Sequence, residues 1–390
     1  MNQGKYVFAQ VACFLPLRVF DRCVSQYDGN KWTKHFTCWN QMMCMMFGQL
    51  SGRDSLRDLL VTISAHPNKY YHMGLGKNVS RSNLANANEQ RDYRIYEAFA
   101  YEMIRLARRC TITETDFALA IKGNIYAFDS TTIDLCLNVF WWATFRKTKG
   151  GIKLHTLYDV KTSIPTFIHI TPASVHDVNA LDTLSYEVGG YYVMDRGYID
   201  FQRLHVIHQH KAFFVTRAKN NFQFNRMYSA KVDKSIGVMC DQIIQLSGYY
   251  PSQEYPDKLR RIKFYDAEQK RTLVFITNNF TLEAIDIAML YKYRWKVELF
   301  FKWIKQHLKI KSFWGTSENA VKTQVYIAII TYTLVAIIKS KLKINRSTYE
   351  ILQILSASLF DKTLLNQLLQ SPISQNVKEH KYKQLIINLI

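Results

Sequence analysis

No cysteine pair in this 390-residue chain has CxxC spacing, and none stands at zinc-site spacing from a histidine. The seven cysteines (Cys13, Cys23, Cys38, Cys44, Cys110, Cys136 and Cys240) are odd in number and sit in apolar surroundings. A disulfide framework is therefore excluded, and buried, reduced thiols of a cytosolic protein are expected. The first residues have mixed polarity and no small-residue cleavage site, so no signal peptide is expected. The most apolar run, residues 325–338, is too short to span a bilayer and predicts a buried helix and no membrane partner. Internal repeats and low-complexity tails are also missing. Carboxylates are scarce: 31 Asp and Glu stand against 51 Lys and Arg, a formal net charge of +20.

That imbalance predicts attraction to a polyanion. Aromatic residues make up 14% of the chain, and bases stack on aromatic rings while phosphates pair with Lys and Arg, so nucleic acid is the expected partner. A hydrophobic content of 48% supports a large core and two or three domains.

Residues 1–115 read as helical. An apolar, Met-rich stretch ends at Ser51-Gly52-Arg53, and a helical pattern resumes at Asp54. Ser80 or Ser82 can cap a long helix running to about Arg109, whose start offers Arg81, Ser82, Asn83 and Asn86 for phosphate and base-edge contacts. From Asn124 the pattern turns to strands: a meander of three or four, a helix over 177–188, a strand at 191–194, a helix over 199–210 and a strand at 212–216. This order predicts a mixed α/β sheet covered by helices. Residues 217–280 are turn-rich with strand-like runs and read as a β-rich insertion. Residues 281–345 return as helix and complete the core begun at 116–216, and residues 346–390 form a helical C-terminal region.

Two apolar strands end on an acid, Asp129 and Asp195. Burying a carboxylate costs several kcal/mol unless it is paired or metal-bound, and strand ends are where α/β sheets bind ligands. A third acid, Glu298, is the only one between Tyr291 and Ile310, among six Lys or Arg. Read as one helix, this stretch places Tyr291, Arg294, Glu298, Lys302, Lys305 and Lys309 on one face, with Val297, Phe300, Trp303 and Ile304 opposite. Three unpaired oxygen ligands suit Mg2+ or Mn2+. Asp134, Asp159, Asp177 and Asp200 are rival ligands, with Asp177 also readable as a helix cap.

The series Tyr291-x2-Arg294-x3-Glu298-x6-Lys305 resembles, without a gap, the Y-x2-R-x3-E-x6-K signature of DDE transposases of bacterial insertion sequences of the IS-four type. Asp129-Ser130-Thr131-Thr132 and Asp195-Arg196-Gly197-Tyr198 resemble that family's two Asp motifs. The stretch from Lys149 to His155, which includes Lys153, and Val175-His176-Asp177 are also similar to it. The resemblance covers about residues 120–340 and implies a ribonuclease H-like mixed-sheet core with Asp129, Asp195 and Glu298 as catalytic ligands of two Mg2+ ions, Mn2+ substituting. Tyr291, Arg294, Lys302, Lys305, Arg196, Lys149, Lys153 and Arg81 are the residues expected on DNA. The implied reaction is nicking, hairpin formation, hairpin hydrolysis and joining to target DNA, by a homodimer acting on double-stranded inverted-repeat ends in the bacterial cytoplasm, nucleoid-associated when bound. Relatives that flip a base stack it on an aromatic residue of the insertion. No Trp lies there in this chain, which leaves Phe214, Phe222, Phe224, Tyr249 or Tyr250. A DNA-binding protein on the same fold without catalysis and a structure-selective nuclease are the alternative readings.

Overall fold

A computed structural model describes residues 4–76, 79–111, 121–146, 149–219, 222–308, 310 and 313–370, with the backbone alone at 144–146, 149 and 307. Its sheet is built outward from β1 (Ile125–Leu135), β2 (Thr144–Arg146), β3 (Lys149–Asp159) and β4 (Ile164–Pro172). These pair antiparallel, as short connections allow. The chain then runs through a 3-10 helix, Asp177–Thr183, to β5 (Tyr191–Met194), which lies parallel to β1. Helix Phe201–Gln209 carries it over to β6 (Phe213–Arg217), parallel to β5.

The remaining strands are β7 (Phe224–Ala230), β8 (Val238–Leu246), β9 (Leu259–Asp266) and β10 (Arg271–Thr277). They continue the same sheet, since β10 pairs with β6, and the order is β2-β3-β1-β5-β6-β10-β9-β8-β7 with β4 on β3. The fold is thus α/β, with the mixed sheet of a ribonuclease H-like core. The strands expected over 217–280 extend that sheet.

Ile125, Tyr126, Ala127 and Phe128 are buried on both faces of β1, which is why this run reads as continuously apolar. One face meets Leu204 and Ile207 of helix Phe201–Gln209. The other meets helices Ala284–Lys292, Trp295–His307 and Glu318–Lys341. Helix Glu318–Lys341 begins at Ser317, whose side chain accepts from the Ala320 N–H. It is apolar around most of its circumference and is the one described helix long and apolar enough to cross a membrane. Its most apolar window is 94% buried inside the protein, so it serves as a core helix. Helices Cys38–Leu50 and Arg94–Thr111 pack on it and share its hydrophobic core.

Several local expectations need correction. The long helix from Ser80 is two helices, Arg81–Gln90 and Arg94–Thr111. The chain turns at Arg91, whose guanidinium bonds Gln41 and the Phe36 carbonyl, while the Tyr93 N–H bonds Asn319. The helix over 177–188 is only the short 3-10 turn. Asp177 does not cap it, because its carboxylate accepts from Ser130 Oγ at 2.7 Å and pairs with Lys153 at 3.2 Å. Among the cysteines, Cys13 and Cys136 are exposed. The residues on either side of the expected 115/116 boundary and the last 20 residues of the C-terminal region lie outside the described residues.

The helical N-terminal part is tied to the sheet by an ion pair. Arg108 Nη2 lies 3.0 Å from Asp159 Oδ2, and Asp159 is 1% exposed. Asp159 Oδ1 also accepts from the Lys161 and Thr162 N–H groups. Arg108→Ala leaves a buried carboxylate without its counter-ion, a change that costs roughly 3 kcal/mol. A chemical-denaturation midpoint equal to that of the wild type would show that the pair carries no such weight.

Candidate active site

The last β1–β5 pair in the parallel register is Phe128 with Met194, and the last β5–β6 pair is Met194 with Thr216. The next residue on each strand is Asp129, Asp195 and Arg217. The three form a row where the parallel pairing stops. Asp195 lies just past the end of β5. Asp129 does not end its strand, contrary to expectation: β1 runs on to Leu135, bonded to β3 alone. What ends beside Asp129 is its neighbour, and the lost partner opens one edge of β1.

Glu298 reaches this row from a helix that packs through Val297, Phe300 and Ile304, with the Phe300 ring 5.3 Å from that of Tyr158. The stretch expected as one helix is two, Ala284–Lys292 and Trp295–His307. They meet in a tight turn of i to i+3 bonds, from Tyr293 N to Leu290 O (3.1 Å) and from Arg294 N to Tyr291 O (3.1 Å). Side chains on both sides of the turn are fastened to the sheet. The Tyr291 hydroxyl donates to Asp195 Oδ1 at 3.1 Å, and Arg294 Nη1 donates to Asp129 Oδ2 at 2.9 Å.

Arg294 also places Nη2 2.5 Å from Glu298 Oε1. One guanidinium therefore bridges two of the three acids. Arg217 Nη2 lies 3.2 Å from Asp195 Oδ1, and the Tyr291 ring lies beneath both arginines. Sequence reasoning missed Arg217, although it carries the same signal as the two aspartates: an apolar strand ending on a charge.

The two aspartates titrate in opposite directions. Burial pushes the Asp129 carboxyl up to about 6, helped by the charges of Glu298 and Asp195 and opposed by the Ser130 N–H and Arg294. Burial also pulls Asp195 upward, but it is outweighed by the Arg196 N–H, Arg217, Arg294 and the Tyr291 hydroxyl, which hold this carboxyl below its ordinary value.

The other basic residues divide into near and far. Lys305 Nζ donates to the Thr132 carbonyl at 2.7 Å, three residues along β1 from Asp129. Lys302 is exposed on the same helix, and Arg196 is exposed directly after Asp195. Lys153 is mostly buried and engaged by Asp177 and the Val175 carbonyl. Arg81 is exposed on a helix that packs against other helices, Cys38–Leu50, Leu56–Ser64 and Glu318–Lys341. The Lys149 side chain and Lys309 lie outside the described residues. The rival acids are accounted for: Asp159 by Arg108, Asp177 by Ser130 and Lys153, and Asp200 as the cap of helix Phe201–Gln209, while Asp134 is exposed.

Among the described residues, no three Asp, Glu, His or Cys side chains are grouped as a ready-made metal site. The donor set nevertheless fits a hard cation. It is all carboxylate oxygen, and Asp129 and Glu298 already grip one positive charge between them, that of Arg294.

The Asp129 shift sets a pH dependence of stability. Its folded pKa lies above the ordinary unfolded value near 3.9. Between about 4 and 6 the folded state therefore holds a proton that the unfolded state releases. Stability from this group is full below that window and is lost as pH rises through it. In chelator, the wild type should lose about 1–3 kcal/mol relative to Asp129→Asn between pH 4 and pH 7. Parallel stability curves for the two proteins would contradict this assignment.

Comparison with known proteins places the chain in a family. Residues 121–334, more than half of the chain, match the family model described as transposase DDE domain, and residues 3–76 match a domain of unknown function (DUF4372). A Sinorhizobium fredii protein named as a transposase, y4zB, is 37% identical over 236 residues, 60% of this chain and 65% of its own length. A Geobacillus stearothermophilus protein named as a transposase for insertion sequence element IS5377 is 31% identical over 223 residues, 57% of this chain and 58% of its own length. A Synechocystis sp. protein named as a transposase for insertion sequence element IS4SA is 25% identical over 296 residues, covering 74% and 80%. The chain thus spans less than two thirds of the first two relatives. Its own match runs from before β1 to within helix Glu318–Lys341 and takes in all three acids, so the chain belongs to the DDE transposase domain family.

Proposed function

We propose that the protein is a DNA transposase that hydrolyses phosphodiester bonds at the ends of an insertion sequence and joins the released ends to target DNA. The observation that carries this reading is the convergence of Asp129 and Glu298 on one cation, with Asp195 in the adjacent strand position. Asp129, Asp195 and Glu298 would hold two Mg2+ or Mn2+ ions, which when bound supply an activated water or 3′-hydroxyl and stabilise the leaving oxygen.

The chain's own groups have distinct tasks. Asp195, kept ionised by Arg217 and Tyr291, is ready as an anionic ligand. Asp129, buried and with a raised affinity for protons, must shed its proton to ligate, so ligation favours neutral to alkaline pH. Arg294, Arg217, Tyr291, Lys302, Lys305 and Arg196 surround the acids and would position DNA phosphates by charge-assisted hydrogen bonds. Lys149, Lys153 and Arg81 would extend that contact. The helical N-terminal part would bind duplex DNA, and two copies would bring two ends together. A cytoplasmic, nucleoid-associated location follows from such a substrate. For a cut-and-paste route through a hairpin, Tyr249 and Tyr250 offer exposed aromatic faces in the insertion, whereas Phe214 is fully buried.

Incubation with duplex carrying the terminal inverted repeats and Mg2+ tests the assignment. The wild type should nick and join, and Glu298→Gln should lose at least about 100-fold in rate, as expected when an essential electrostatic group is removed. Equal cleavage by both would remove Glu298 from the site, and cleavage without joining would favour a nuclease. Lys302→Ala and Lys305→Ala should each flatten the slope of log affinity against log salt by about 0.9. Unchanged slopes would take them off the phosphates.

A further inference from the structure

We propose that Arg294 is an exchangeable counter-ion that couples divalent-cation loading to DNA binding. The inference rests on reading Asp129, Asp195 and Glu298 as cation ligands. It starts from where the guanidinium lies. Nη1 is 2.9 Å from Asp129 Oδ2 and Nη2 is 2.5 Å from Glu298 Oε1, so Arg294 spans the two carboxylates that a cation would share. Like charges cannot occupy that space together at low dielectric. A divalent ion must displace the guanidinium to reach both acids.

The displaced side chain has somewhere to go. Its fork matches phosphate as well as it matches carboxylate. Its present pose is incompletely satisfied, because Nε is buried with no hydrogen-bond partner among the described residues. Arg294 stands at the turn between two helices, with the Tyr291 ring 5.8 Å below its guanidinium carbon. Exposed Lys302 stands one helical turn from Glu298 and exposed Arg196 directly follows Asp195, so a phosphate drawn to these cations is brought toward the turn that carries Arg294.

Each ligand therefore removes an obstacle to the other. DNA phosphate takes Arg294 from the acids and opens them to the cation, and the cation frees Arg294 for phosphate. Linkage makes the two effects equal in size. The acids would then hold the ion weakly until DNA is present, which confines the reactive centre to the DNA complex.

The test is Mn2+ binding by the full chain, read from the electron paramagnetic resonance signal of the free ion. It is run alone and with saturating nonspecific duplex at low salt, corrected for Mn2+ held by the duplex. DNA should tighten Mn2+ binding to the wild type by roughly 5–150-fold. Arg294→Ala should bind Mn2+ more tightly than the wild type without DNA, and its gain from DNA should fall below roughly threefold. Arg294→Met keeps a long side chain but carries neither charge nor donor, and it should behave in the same direction if the alanine variant fails to fold. A folded variant with the wild-type gain from DNA, or a wild type that gains nothing, overturns the proposal. Glu298→Gln separates this from the reading beneath it. If that variant binds Mn2+ as the wild type does, the acids are not the ligands. If it loses Mn2+ while Arg294→Met keeps the full gain, the ligands stand and the coupling falls.

Discussion

Three carboxylates can stand close together, partly buried, only if positive charge is held among them. Here that charge comes from Arg294, bridging Asp129 and Glu298, and from Arg217, paired with Asp195. Without them, burial and mutual repulsion would push protons onto the acids, and even with Arg294 in place Asp129 remains raised. Charge balance at this point joins the sheet, which supplies two acids, to the helix pair, which supplies the third acid and the bridging arginine.

The sheet creates the place where the balance is struck. Parallel pairing among β1, β5 and β6 stops at Phe128, Met194 and Thr216, and the next residues are all charged. Up to that level the strands are mostly apolar and buried on both faces. Beyond it, β1 keeps a single partner, and polar side chains can meet solvent or ligand. The same chain segments therefore carry the core and the charged row, separated by one residue.

Fixing Glu298 over that row requires a rigid support. Helix Trp295–His307 is held from below by Val297, Phe300 and Ile304, and from behind by helix Glu318–Lys341, which also carries the N-terminal helices. The match to a domain of unknown function thus falls on helices that share their core with helix Trp295–His307. The ion pair from Arg108 to Asp159 adds a second tie, from helix Arg94–Thr111 to the far end of β3.

The sequence by itself determined the mixed α/β core, the order of its strands, the buried central helix and the trio of acids. Those features are written in local patterns: apolar runs that stop at Asp129 and Asp195, and a cationic helix face around Glu298. It also carries the excess of Lys and Arg, from which a polyanionic partner is expected. Only the tertiary structure decided which basic residues stand near the acids. Lys153 is consumed by Asp177, Arg81 sits on a separate helix packing, and Arg217, unremarked in the chain, falls into the row because β6 runs one residue past its last pair with β5. Only the tertiary structure, too, decided that Arg294 faces carboxylates. Spacing along a helix tells which side chains share a face, but the strand register that brings opposite charges to that face is set by pairings distant in the chain.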